Sequence, residues 1–128
     1  MFKRVFRLKG RAVKFLTKKK YFSSGHFSFF FFEQYPNQRF NQISVFVTVK
    51  LDKRAVKRNI VKRSVLKVLE KYNFVNQPLK KFYKIFVILQ KNNITQLQEK
   101  IAYSDKKDII NFVEKKFNFS LGEFLNKI

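Results

Sequence analysis

"ISVFVTVKLDKRAVKRNIVKRSVLKVLEKY", residues 43–72, changes its periodicity partway along. Over residues 43–51, Val45, Val47 and Val49 fall on one face and Ser44, Phe46 and Thr48 on the other, an alternation that predicts a strand. From residue 53 the period lengthens. Val61, Val65, Val68 and Tyr72 recur at intervals of four, three and four, with Leu69 widening the stripe, and this predicts a helix over 53–73. Asp52 stands where an N-cap belongs. The first turns of that helix, "KRAVKRNIVKR" at 53–63, hold six basic residues and no acidic one.

The remaining elements are read outward from this strand and helix. Aromatic β-propensity makes "HFSFFFFEQ", residues 26–34, a second strand, and "EQYPNQRFNQ" supplies turn residues. The strands at 26–34 and 43–51 are expected to pair antiparallel. Phe27, Phe29 and Phe31 share one face of 26–34 and Ser28, Phe30 and Phe32 the other, so the pattern leaves open which face is core. "NFVNQPLKK" ends the long helix at or before Pro78, and "FYKIFVILQ", residues 82–90, is a strand whose run "IFVIL" implies burial on both faces.

Residues 1–9 read as a basic, loosely ordered arm and 10–20 as a short first helix ending before "YFSSGH". A helix is expected at 94–103 and another from a Ser104 cap, with Asp105 and Asp108 near its positive end and Lys115 and Lys116 near its negative end. Ser120 is expected to open a last turn. The fold class is α+β, a small mixed sheet packed with helices in the order α-β-β-α-β-α, in a single domain. A domain is expected over 1–117, with 118–128 a C-terminal helical extension.

The 128 residues carry a formal charge of +21. Residues 1–63 hold 17 Lys and Arg against Glu33 and Asp52, a net of +15, while residues 64–128 have a net of +6. Such self-repulsion destabilises a compact state and points to a polyanionic partner, with nucleic acid first and an anionic membrane second. With no Cys there is no disulfide or thiolate site. The basic start has no apolar core of a signal peptide, and no run is long enough to span a bilayer. A cytoplasmic location is expected. Phe is unusually common at 18 residues, for which an A/T-rich genome is the bland account, so single Phe positions carry little weight.

The carboxylates are scattered and the sole histidine, His26, has no evident partner, which argues against metal-dependent or acid–base catalysis by this chain. His26 is expected at the surface or a sheet edge. Binding fits better. Arg54, Arg58 and Lys62 repeat every four residues, Lys53 and Lys57 form an adjacent row, and Asn59 and Arg63 another. Like charges so spaced repel by a few tenths of a kcal/mol per pair, which phosphates and counterion release offset. A solvated charged face is the plain alternative, but such faces usually mix signs. The strand aromatics serve either as core or as platforms for unpaired bases.

"AVKRNIVKR", Ala55 to Arg63, resembles the signature of the bacterial ribonuclease P protein component. Arg58, Asn59, Lys62 and Arg63 match it directly and Val61 matches its aliphatic position. "RLK" at 7–9, "FSSGHFSFFFF" and "SVFVTVK" resemble flanking segments of that family, in order and spacing, from about residue 7 to 117. The chain departs from the pattern at Ile60, where the signature has a second Arg, and at Leu66, where a basic residue is expected and Lys67 is the neighbouring substitute. Val47 and Val49 replace small polar residues.

The resemblance implies an accessory subunit of an endoribonuclease that matures precursor tRNA at its 5′ end. The catalytic centre would lie on a partner RNA, which also brings the Mg²⁺; no cofactor is expected on the protein alone. Lys53, Arg54, Lys57, Arg58, Asn59, Lys62, Arg63 and Lys67 would face RNA, and Phe15, Phe30 and Lys50 the single-stranded 5′ leader. The implied partners are the catalytic RNA and precursor tRNA, with the protein monomeric and off the membrane. A basic structural RNA-binding protein, such as a ribosomal one, shares the charge but has no need of the Arg-Asn and Lys-Arg pairs after a strand. A membrane-surface module would want its apolar stripe exposed.

Overall fold

A computed structural model describes residues 7, 8, 10, 11, 14, 20–72, 74, 81–90 and 94–127. Among these, four strands and three helices follow in the order β-β-β-α-β-α-α. They are β1 (Lys20–Ser24), β2 (Phe27–Glu33), β3 (Gln42–Val45), α1 (Ala55–Lys71), β4 (Tyr83–Leu89), α2 (Ile94–Tyr103) and α3 (Lys106–Lys127). The expected α+β class with a mixed sheet holds. The expected first helix falls mostly outside the described residues; Gly10, Arg11 and Lys14 are helical within it.

The sheet order is β1-β2-β4-β3, with β1–β2 and β2–β4 antiparallel and β3–β4 parallel. This corrects the expected antiparallel pairing of β2 with β3. β4 lies between them, matching Phe31 to Ile85 on one side and Ile43 to the same Ile85 on the other. β3 and β4 are parallel neighbours and so need a long crossover, which α1 supplies. Asn41 secures that crossover. Fully buried, it donates from Nδ2 to the Phe74 carbonyl at 2.7 Å and accepts from the Tyr83 N–H at 2.7 Å, joining the exit of α1 to the start of β4.

β1 takes Lys20, expected to end the first helix, and the four residues beyond it. Its hairpin with β2 turns at Gly25, whose φ of 58° is the left-handed conformation that glycine adopts without a Cβ penalty. β3 is shorter than expected. Its last ladder bond runs from Phe46 N–H to the Val87 carbonyl. The chain then turns, with Thr48 Oγ1 accepting from Lys50 N–H and the Thr48 carbonyl from Leu51 N–H. Val49 is consequently exposed and Leu51 buried. Arg7 and Leu8, expected in a loose arm, continue the sheet instead through a parallel bridge to Ile43.

The structure decides which β2 face is core. Phe27, Phe29 and Phe31 lie with Ile43, Val45, Ile85, Val87 and Leu89 against Val61, Val65, Val68 and Leu69 of α1. Leu97 and Ile101 of α2 and Ile109, Val113, Phe117, Leu121 and Phe124 of α3 complete the layer. Phe124 stacks on Phe29 with ring centroids 4.5 Å apart and planes 6° from parallel. The opposite face has its own small cluster, Leu8 and Phe86 with Phe30 and Ile88, so β4 is buried on both sides as its apolar run implied.

α3 does not break at Ser120. Residues 118–127 continue the helix, with Ser120, Leu121 and Phe124 buried, and Ser120 Oγ donates to the Ser24 carbonyl at 2.7 Å. The start of α3 is capped one residue later than expected: Asp105 Oδ1, not Ser104, accepts the Asp108 N–H at 2.9 Å. His26 is buried rather than at the surface, with Nε2 and Gln96 Oε1 2.7 Å apart and its ring edge-on to Phe112, a structural role in the hairpin.

Candidate nucleic-acid interface

The basic helix starts at a turn organised by Asp52. Its Oδ1 accepts the Arg54 N–H at 2.8 Å, and its two carboxylate oxygens take the Arg54 guanidinium at 3.0 and 2.8 Å. Asp52 thus closes a turn two residues before the N-cap position. Arg54 occupies the N-cap position and makes no side-chain cap bond there. The hydrogen bonds from the Arg54 side chain and backbone hold the Asp52 carboxyl down at about 2. No acidic residue lies in the first turn of α1, so Asp52, just ahead of it, is the carboxylate that meets the positive end of the helix dipole.

The eight basic-helix candidates separate into two groups. Arg54 is paired with Asp52. Lys57 Nζ donates to the Ser104 carbonyl at 3.1 Å, tying α1 to the α2–α3 connection. Arg58 donates to the carbonyls of Asp52 at 3.0 Å and Lys53 at 3.1 Å, so its guanidinium closes the turn into its own helix. Lys53 is exposed. Asn59, Lys62, Arg63 and Lys67 are exposed, and among the described residues their side chains enter no hydrogen bond or ion pair.

Asn59 and Arg63 stand one turn apart and form a ridge between two grooves. On one side a groove of about 290 Å³ runs between α1 and the β3 edge, with Leu8, Ile43, Val45 and Leu66 beneath and Arg7, Ser44 and Lys62 around it. On the other side a groove of about 450 Å³ separates α1 from α3, lined by Val56, Ile60, Ser64, Lys67, Lys106 and Ile110. Ile60 and Leu66, the two departures from the basic pattern, are therefore wall residues. Ile60 also packs against the core, and Leu66 is buried. Arg7, Ser44 and Lys106 join these grooves from distant parts of the chain, and none of them is among the expected RNA contacts.

Of the leader candidates, Phe30 lies on β2 and Lys50 in the turn that follows β3. Phe30 is half-buried on the sheet face away from the main core, 5.0 Å from the Tyr21 ring and 6.1 Å from Phe86. Beside it the hydroxyls of Tyr21, Ser23 and Ser28 are mutually hydrogen-bonded. Lys84 on β4 is buried with Nζ 3.6 Å from the centroid of the Tyr35 ring. Lys50 lies in the turn leading to α1, its carbonyl accepting from Gln98. Phe15 is outside the described residues. Among the described residues, no cluster of three or more His, Asp or Glu that could hold a metal occurs. Nor, among the described residues, is any helix long and apolar enough to cross a membrane.

No family model matches the chain, and no curated protein sequence matches it. Solved structures do. The ribonuclease P protein of Staphylococcus aureus superposes with a TM-score of 0.67 at 15% identity, over 91% of this chain and 93% of that one. The ribonuclease P protein of Thermotoga maritima superposes with a TM-score of 0.60 at 23% identity, over 85% of this chain and 96% of that one. A mutant of the Staphylococcus aureus protein gives 0.62 at 19% identity, over 91% and 88%. Along nearly its whole length the chain has the fold of the bacterial ribonuclease P proteins.

Proposed function

We propose that this chain is the protein subunit of a ribonuclease P, binding a catalytic RNA and the 5′ leader of precursor tRNA to assist endonucleolytic 5′-end maturation. The observation that carries the reading is the likeness of fold over almost the full length of both chains. The signature at 55–63 supports it, since it falls on α1. So does the ridge of Asn59 and Arg63, which has no internal partner among the described residues to compete with phosphate.

In this reading Lys62, Arg63 and Lys67 contact RNA phosphates, with Lys53, Arg54, Lys57 and Arg58 raising the local positive potential. Asn59 contributes a carboxamide that both donates and accepts. The sheet face with Phe30 offers rings on which unpaired leader bases stack, and Phe15 and Lys50 are the further leader contacts of this reading. Catalysis belongs to the RNA, and Mg²⁺ enters through it; the protein acts as a cytoplasmic monomer that lowers the metal concentration at which the RNA is active.

Reconstitution with the ribonuclease P RNA encoded in the same genome tests this. The protein alone should cleave no precursor tRNA, and adding it should accelerate cleavage at low Mg²⁺, where the RNA alone is slow. A protein that never improves cleavage by that RNA, or that co-purifies with ribosomal subunits and not with one small RNA, overturns the proposal.

A further inference from the structure

The groove between α1 and α3 has a chemistry that phosphate binding alone does not explain. A surface built only to hold a polyphosphate chain needs cations and space. Here Val56, Ile60 and Ile110 form an apolar wall, with Val56 71% exposed at the start of a helix otherwise crowded with charge. Arg63, Lys67 and Lys106 surround that wall with the Asn59 carboxamide, and no acidic residue lines the groove among the described residues. Its volume of about 450 Å³ lies within the usual range of small-molecule sites.

The groove is also held open by the fold. Ser64 at its base is buried, its hydroxyl committed to the Ile60 carbonyl at 2.7 Å, and Ile60 is anchored against the core. Val56, Ile60, Arg63 and Lys67 follow at helical spacing on one side of α1, opposite Lys106 and Ile110 one turn apart on α3.

An apolar wall ringed by cations and one amide matches a nucleotide more closely than a bare phosphate. The base is flat and poorly hydrated on its faces, its edge carries donors and acceptors, and anions lie on both sides. We infer that the α1–α3 groove is a site for one unpaired nucleotide of the bound RNA. Its base lies against Val56, Ile60 and Ile110, its edge meets Asn59, and its flanking phosphates meet Arg63, Lys67 and Lys106. The assignment rests on α1 being the RNA-binding surface. Ile60 is then the residue that makes this site, in place of the phosphate contact an Arg would supply.

Two hairpin RNAs with the same stem, one carrying a single bulged nucleotide and one flush, test the assignment with the full chain. Wild type should bind the bulged hairpin about tenfold more tightly at the same salt concentration. Ile60→Arg, which adds a cation but removes the wall, should hold or strengthen binding to the flush hairpin and abolish the preference. Val56→Asn alters only an exposed side chain and no charge. It should reduce the preference with flush binding unchanged, and so covers the case in which Ile60→Arg does not fold by circular dichroism.

Equal wild-type affinities for the two hairpins leave α1 as an RNA surface but overturn the nucleotide site, as does an Ile60→Arg protein that binds both hairpins more tightly in parallel. Failure to bind either hairpin overturns RNA binding itself and is thereby distinguished from failure of the groove.

Discussion

Replacing Lys62, Arg63 and Lys67 together with Ala should flatten the salt dependence of RNA binding without disturbing the fold. The three side chains are exposed on α1 and have no internal hydrogen bond or ion pair among the described residues, and Ala is the best helix former. For every phosphate no longer neutralised, the slope of log affinity against log salt falls in magnitude by about 0.7 for single strands and about 0.9 for duplex. Three such phosphates make the slope shallower by about 2 to 3, so the drop in affinity between 50 and 200 mM salt shrinks by roughly 20- to 40-fold. Fluorescence anisotropy with the partner RNA across that salt range measures the slope, and circular dichroism checks the helix. A control triple, Lys100, Lys115 and Lys127 to Ala, makes the same change to the +21 charge at positions that line neither groove. Equal flattening by both triples would refute the assignment, because only the general field of the protein would then matter. Arg58 is a poorer probe, since its guanidinium holds the Asp52 and Lys53 carbonyls and its removal disturbs the helix start.

Phe124→Ala should destabilise the protein by about 3 to 5 kcal/mol, because Phe124 is fully buried and stacked on Phe29, and a urea-denaturation loss under 1 kcal/mol would show that residues 118–127 do not share the core. Gly25→Ala should cost about 1 to 2 kcal/mol for the left-handed backbone alone. The new Cβ would also stand 3.1 Å from Ser120 Oγ, and an unchanged melting temperature would contradict the hairpin geometry. The depressed Asp52 carboxyl contributes stability that is present above its unfolded value near 3.9 and lost as pH falls through about 2. Solvent around the half-exposed Arg54 keeps that contribution small. Asp52→Asn should therefore narrow the stability difference between pH 5 and pH 2.5, and an undiminished difference in denaturant titrations would reject the role of the pair.

Local patterns identified elements wherever burial imposed a period or a continuous apolar run. α2 occupies the expected 94–103, β4 all but the ends of 82–90, and α1 all but two residues at each end of 53–73. The stripe of Val61, Val65, Val68 and Leu69 is buried as its period required. β1 escaped detection because "KYFSS" is too short and polar to alternate, and its place depends on the neighbouring β2. Val47 and Val49 misled in the other direction: they extend the alternation of β3, but the Thr48 turn diverts the chain so that Leu51 enters the core.

The sequence by itself determined the class of fold and the long basic helix, because periodicity and charge act over a few residues and need no distant contact. Only the tertiary structure decided that β4 separates β2 from β3, and that Phe29, not Phe30, faces the helices. It also decided which cations remain uncommitted. Arg54, Lys57 and Arg58 look the same as Lys62, Arg63 and Lys67 in the chain, yet the first three are engaged by Asp52, Ser104 and Lys53. Ile60, which interrupts the basic pattern in one dimension, becomes the wall of a groove only when α3 packs alongside it. Such distinctions depend on groups brought together from far apart in the chain, and local periodicity contains no record of them.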